Sequence, residues 1–206
     1  MPWYDAANGL SPLRAAAYAG AAALALGELA VLALALSPEV DATYRAYYID
    51  RTTTCLDRRV SGDYALGETV SFRSDGAEAM KEIRVCGLDG PVDDGTHSVG
   101  TSSRLRVNAR SAAPLVLRLT MNRAKAAAAV TQHVRVVIDG APAGEITLDS
   151  DADQAAEFAL PAVLADGTAE ITLEYADAVR PTPLASETRL RAIRLLSFQL
   201  AEKPAD

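Results

Sequence analysis

The sequence predicts an all-β protein, an antiparallel β-sandwich held behind a single N-terminal transmembrane helix. Three observations predict it. Ala15 to Leu36 is one apolar run broken only by Glu28. Beyond it, short segments alternate apolar and polar residues with the two-residue period of strands, and turn residues separate them. No long helical pattern intervenes between those segments.

At about 1.5 Å per residue the apolar run reaches the ~30 Å of a bilayer core. Arg14 closes it on one side, and Ser37 and Pro38 on the other. Trp3 and Tyr4 precede it, and Tyr44, Tyr47 and Tyr48 follow it, the aromatic placement that favours headgroup regions. The alternative is a cleaved signal peptide, because Ala33-Leu34-Ala35 fits a small-x-small cleavage site. Against it, the run exceeds the usual ~7–15 residues of such segments, and only one basic residue precedes it. Arg14 on one flank is matched by Arg45 and Arg51 on the other, so charge does not decide orientation. The expected layout is an N-terminal segment at 1–14, the helix at 15–36, a juxtamembrane segment at 37–63 and the sandwich at 64–206.

Glu28 is the most informative single residue. A mid-bilayer acid costs about 2.5–3.5 kcal/mol on insertion scales and normally faces protein or water. Ala15, Ala19, Ala23 and Gly27 recur at four-residue spacing, a smooth stripe that admits a second helix closely. Glu28 lies about 100° around the helix from Gly27, at the edge of that stripe. Ala19, Ala23, Gly27 and Glu28 are therefore the expected interface with a partner helix. The bland alternative is an Ala-rich helix with chance spacing and a protonated Glu28 in lipid.

About 170 residues follow the anchor, enough for one domain with a real core. Net charge is −7, with acids and bases interspersed and no basic stripe, which argues against nucleic-acid binding. Cys55 and Cys86 are the two cysteines. An even pair behind an export-type segment points to a disulfide in an oxidising compartment; two independent buried thiols are the alternative.

Taken in order, Glu68–Arg73 and Met80–Cys86 read as strands, and Ala42–Val60 has no clear period. Arg104–Asn108 and Leu115–Met121 alternate clearly. Ala124–Val130 has room for one or two helical turns. His133–Ile138 and Glu145–Leu148 read as a hairpin with a slightly long loop, Asp139 to Gly144. Ala155–Leu160 and Thr168–Tyr175 continue the pattern across Pro161 and Asp166-Gly167. Thr188–Leu200 is two-sided, because Leu190, Leu196, Phe198 and Leu200 alternate while Ile193 fits a helix; strand is the expectation. Roughly seven to nine strands so spaced predict a sandwich.

The chemistry on offer is sparse. His97 and His133 are the two histidines, and no HExxH, CxxC, phosphate loop or nucleophile elbow occurs. A non-catalytic protein without a cofactor is expected. Asp149, Asp151 and Asp153 alternate after a strand and form a weak calcium candidate. The glycine and distal glutamate of an EF-hand are missing, however, and a solvated acidic turn is the default. A second acidic loop carries Asp89, Asp93 and Asp94. Beyond Tyr48 no tryptophan occurs, and the few aromatics fall at core-like positions, which counts against a strong lectin-type site.

Gly67–Phe72, Cys86–Pro91 and Ser102–Val107 resemble one family, as do Pro181–Pro183 and Ser186–Leu190 with the strand through Phe198. It is the external jelly-roll, carbohydrate-binding-like domain of bacterial membrane-anchored glycosyltransferases and phosphoglycerol transferases. The resemblance covers roughly Tyr64 to Leu200 and rests on turn and strand punctuation. It implies a jelly roll on the periplasmic side of a bacterial inner membrane. The family's tryptophans after the Gly-x-x-x-Pro turn are missing from Val92–Gly100, which puts its glycan contact in doubt. The expectation is a single-pass accessory subunit of a membrane complex for envelope polysaccharide synthesis or modification. Its partner would be a polytopic membrane protein such as a glycosyltransferase. The alternatives are a tethered glycan-binding module, with contact through Asp93, Asp94 and His97 supported by Arg189, or a structural subunit of respiratory or transport machinery.

Overall fold

The structure, a computed structural model, describes residues 11–36, 39–49, 54–108, 110–160, 167–181 and 189–203. Trp3, Tyr4, Ser37, Pro38, Arg51, Pro161 and most of the Pro181–Leu190 stretch lie outside them. The chain divides into two compact units, Met1–Asp41 and Ala42–Asp206.

In the first unit, helix α1 spans Pro12–Leu36, three residues ahead of the expected start, and contains no buried residue. It is long and apolar enough to cross a membrane. Ala19, Ala23, Gly27 and Glu28 are all exposed on it.

The second unit opens with α2 (Ala42–Tyr44), which continues as a π-helical turn, Arg45–Ile49. Tyr48 stacks against both Tyr44 and Tyr47, with ring centroids 4.6 and 4.7 Å away. Ten strands follow among the described residues: β1 (Thr69–Ser71), β2 (Arg84–Cys86), β3 (Thr96–His97), β4 (Ser102–Asn108) and β5 (Leu115–Arg123), then β6 (Gln132–Ile138), β7 (Ala141–Leu148), β8 (Gln154–Ala159), β9 (Thr168–Tyr175) and β10 (Ile193–Glu202). One sheet runs β1-β10-β5-β8, with β3 also pairing β10; the other runs β2-β4-β9-β6-β7. All named pairings are antiparallel. With the short β2 and β3 set aside, eight strands remain. In chain order they alternate between sheets except at the β6–β7 hairpin, as two interlocked Greek keys do. The domain is a jelly roll.

Alternation fixes which face is buried. In β6, Val134, Val136 and Ile138 point inward while His133 and Arg135 point out. The two inner faces meet around Leu105, Leu117, Leu119, Ile171, Tyr175 and Phe198, each 2 % exposed or less. In β10 the register slips between Leu195 and Ser197. This bulge adds one residue, so Ile193 and Leu195 face the core before it and Leu196, Phe198 and Leu200 are buried after it. The mixed helix–strand signal of that segment is the phase change of a bulged strand.

Three expectations need correction. Met80–Ile83 is not strand: Ser74–Gly76 forms a 3₁₀ turn and Ala77–Ile83 forms α3, leaving only Arg84–Cys86 extended. Met80 and Ile83 are buried three residues apart, and Glu78 and Lys81 pair at 2.6 Å, so a helical period explains the segment. The hairpin loop is shorter than expected. Asp139 and Gly140 form a two-residue turn with φ of +49° and +78°, as a type I′ turn requires. The apparent extra length is a register shift within the strands, where Val136 pairs with Gly144 and Val137 with Pro142. The last strand starts at Ile193, and Arg191 instead makes an isolated bridge with Val179.

Cys55 and Cys86 are joined, with Cα atoms 5.2 Å apart, and with Val85 they form a small second core. The segment 54–62 belongs to the sandwich. Arg58 donates to Val85 O at 3.2 Å, Gly62 donates to Glu82 O at 2.8 Å, and Asn108 donates to Gly62 O at 2.7 Å. It covers the edge of β2, which otherwise presents unpaired backbone groups. Gly87, just past the disulfide, has φ +73° and sits so close to β4 that a Cβ would fall 2.0 Å from Ser102 O.

Candidate functional site

The loop between β2 and β4 carries most of the sequence-predicted contacts. Val92 and Gly95 bridge each other, which places Asp93 and Asp94 at the tip of a tight turn. The chain then enters β3, where His97 pairs with Arg194 and Thr96 with Leu195. The structure brings Asp93, Asp94, His97 and Arg189 to one end of the sandwich, but the charged groups of Asp93, Asp94 and Arg189 are already engaged. Asp89 accepts from Arg189 Nη1 at 2.8 Å and pairs with Arg191 Nη1 at 2.7 Å. Arg191 is largely buried and also donates to Ser98 O at 2.9 Å. Asp94 pairs with Arg194, and Ser74 donates to the carboxylate of Asp93. Ser98, next to His97, is fully buried and accepts from the backbone amides of Ala192 and Ile193 at 2.9 and 3.0 Å.

The same network reaches the calcium candidate. Arg194 Nε donates to Asn122 Oδ1 at 3.0 Å, and Asn122 Nδ2 donates to Asp153 Oδ1 at 2.6 Å. Asp151 is held by Arg123 at 3.1 Å, and Asp149 lies in the same loop. Among the described residues, the one group of three metal-type ligands brought together is Cys55, Asp57 and Cys86. Both of its cysteines are consumed by the disulfide. The arginines that neutralise the acidic loop, Arg191 just ahead of β10 and Arg194 within it, escape a reading of the sequence alone, because they come alongside from about a hundred positions away.

Partial burial holds the His97 pKa below its ordinary value; Asp94 opposes this and the Arg191 and Arg194 charges add to it. Burial pushes the Asp94 carboxyl up, but the hydrogen bond and charge of Arg194 outweigh it and leave the pKa below the ordinary carboxylate value. Asp177 is lowered by hydrogen bonds from the His133 ring and backbone. All three shifts have one sign in their effect on folding, because the unfolded chain binds more protons than the folded one on acidification. Stability should be full above the ordinary histidine value of 6.5, fall as His97 is forced to protonate below it, and fall again as the two aspartates titrate. Thermal melts from pH 8 to pH 2 should show this, and His97→Gln should remove the first decline but keep the second, which falls below the ordinary carboxylate value. A melting temperature that rises on acidification would contradict the assignment.

A second candidate lies on the outer face of the β2-β4-β9-β6-β7 sheet. Register places Glu145 (β7) opposite Arg135 (β6), Arg135 opposite Glu174 (β9), and Glu174 opposite Ser102 (β4). These four side chains form one row across four strands and line a 530 Å³ groove together with His133 and Thr54. Thr54 Oγ1 accepts from Thr101 N at 3.1 Å, and His133 Nδ1 lies 2.7 Å from Asp177, which fixes the ring.

No protein-family model and no curated protein matches the chain. Among solved structures it is similar to carbohydrate-binding modules. A family 36 domain of a multidomain xylanase from the hindgut metagenome of Trinervitermes trinervoides is 9 % identical, with a TM-score of 0.40 over 67 % of this chain and 98 % of that one. A family 36 module in complex with calcium and xylotriose is 16 % identical, with a TM-score of 0.39 over 65 % and 99 %. A family 6 module is 10 % identical, with a TM-score of 0.41 over 68 % and 96 %. The jelly-roll assignment itself rests on the strand order.

Proposed function

We propose that the chain is a non-catalytic, single-pass accessory subunit of a membrane complex that makes or modifies envelope polysaccharide. Its helix would dock on a polytopic partner, such as a glycosyltransferase, and its jelly roll would stand in the periplasm over the partner's external face. The observation that carries this reading is Glu28. It sits unburied near the middle of an apolar helix long enough to span a bilayer, beside Ala19, Ala23 and Gly27. An acid at that depth is stabilised by a protein partner. The disulfide supports an oxidising compartment, and an anchor is preferred to a cleaved signal because of the run's length.

The test is purification of the tagged chain in mild detergent, with intact-mass measurement and mass spectrometry of what accompanies it. An uncleaved chain with a stoichiometric polytopic glycan enzyme is the expected result. A respiratory or transport complex would keep the helix docking and discard the glycan context. Purification alone would remove the accessory-subunit reading and favour a tethered glycan-binding module, the second reading that the groove on the domain supports.

A further inference from the structure

We infer that the groove on the outer face of the second sheet is a ligand site for a neutral, polyhydroxylated oligosaccharide, read by the row Glu145–Arg135–Glu174–Ser102. The loop that the sequence singles out is a poorer candidate, because Asp89 and Asp94 are held by Arg189, Arg191 and Arg194, and Asp93 accepts from Ser74.

The sheet itself supplies the contrast. Further along the same face, Arg106 pairs with Glu170 at 2.7 Å, and Arg104 pairs with Asp57 at 2.9 Å. There each carboxylate accepts hydrogen bonds from an arginine. In the groove, Arg135 reaches Glu174 only at 3.8 Å, beyond hydrogen-bonding distance. Among the described residues, the Glu145 carboxylate and the Ser102 hydroxyl have no hydrogen-bond or ion-pair partner. The row therefore presents acceptor, donor, acceptor and hydroxyl in sequence, at the ~4.8 Å spacing of neighbouring strands. The three steps of the row cover roughly 14 Å.

Each sugar hydroxyl both donates and accepts, and a vicinal pair can span a carboxylate or a guanidinium in bidentate fashion. A row that alternates the two roles on a rigid sheet matches that chemistry. An anionic ligand would meet repulsion at both Glu145 and Glu174, and a cationic one at Arg135. His133, oriented through Nδ1 by Asp177, lies two residues from Arg135 on the same face of β6 and adds a ring nitrogen to the groove. Among the described residues no exposed Phe, Tyr or Trp ring lines the groove, so the affinity should be modest, roughly millimolar. The site lies wholly on the domain and does not depend on whether the helix docks.

The experiment uses the full chain in nanodiscs, free of sugar-based detergent, titrated with maltotetraose, cellotetraose and chitotetraose and followed by saturation-transfer NMR and calorimetry. Saturable binding of at least one probe is expected, weakened about tenfold or more in both Glu145→Ala and Arg135→Ala, the loss of one charge-assisted hydrogen bond. Both side chains are solvent-facing, so melting temperatures should stay near that of the unsubstituted chain. Asp94→Asn, in the loop, should leave affinity unchanged. No saturable binding of any probe would overturn the site. So would equal binding by the groove variants, or weakening by Asp94→Asn in their place.

Discussion

Phe198→Ala is expected to lower unfolding free energy by about 3–5 kcal/mol, the range for truncating a buried aromatic. Phe198 is fully buried in β10, the strand flanked by β1 on one side and β5 on the other. Its ring meets Tyr64 edge-on at 5.5 Å, and the Tyr64 hydroxyl accepts from Leu200 N at 2.7 Å. The truncation therefore opens a cavity and loosens the clasp that binds the segment before β1 to the central strand. Against a typical total of about 5–15 kcal/mol, such a loss takes a large share of the stability. Denaturant unfolding of the variant beside Glu157→Ala gives the comparison. Glu157 is exposed and only 3.3 Å from Arg118, so its loss should stay within about 0.5 kcal/mol. Comparable midpoints for the two variants would place the core elsewhere.

Removing the disulfide should have an effect of similar size. Cys55 and Cys86 close a loop across a sequence separation of 31. The loop-entropy account gives about 3–4 kcal/mol for that closure. Both cysteines are buried with Val85, and the bridge secures the segment 54–62 along the edge of β2. The variant Cys55→Ser/Cys86→Ser should therefore unfold at lower denaturant and also aggregate more readily, because an uncovered strand edge pairs with other chains. Equilibrium unfolding with and without reductant measures the first effect, and light scattering the second. A double variant as stable as the parent in both assays would show that hydrogen bonds alone hold the segment.

Strands that are half-buried and unbroken were legible in the residues themselves. β6 and β9 show this most clearly, since Val134, Val136 and Ile138, then Ala169, Ile171 and Leu173, alternate without interruption. The sequence misled where period and pairing interact. In α3, Met80 and Ile83 sit three apart on one buried face, but so short a helix offers too few residues to establish a period. In β10 a bulge reverses the alternation, so neither template fits the whole strand. The acidic loop was found because turn residues cluster locally, and Asp93, Asp94 and His97 do lie together near Arg189. Its neutralisation was hidden, because Arg191 and Arg194 arrive through a pairing that closes the fold. The groove was hidden for the same reason. Ser102, Arg135, Glu145 and Glu174 form a row only through the register of four strands, and no local pattern encodes that.

Glu28→Leu tests the central claim most directly. The substitution raises the apolarity of the helix, so the chain should still resist alkaline extraction from membranes. If Glu28 binds a partner within the bilayer, mild-detergent purification of the variant should lose the polytopic protein that accompanies the unsubstituted chain at stoichiometric level. Retention of that partner at unchanged stoichiometry would contradict docking through Glu28.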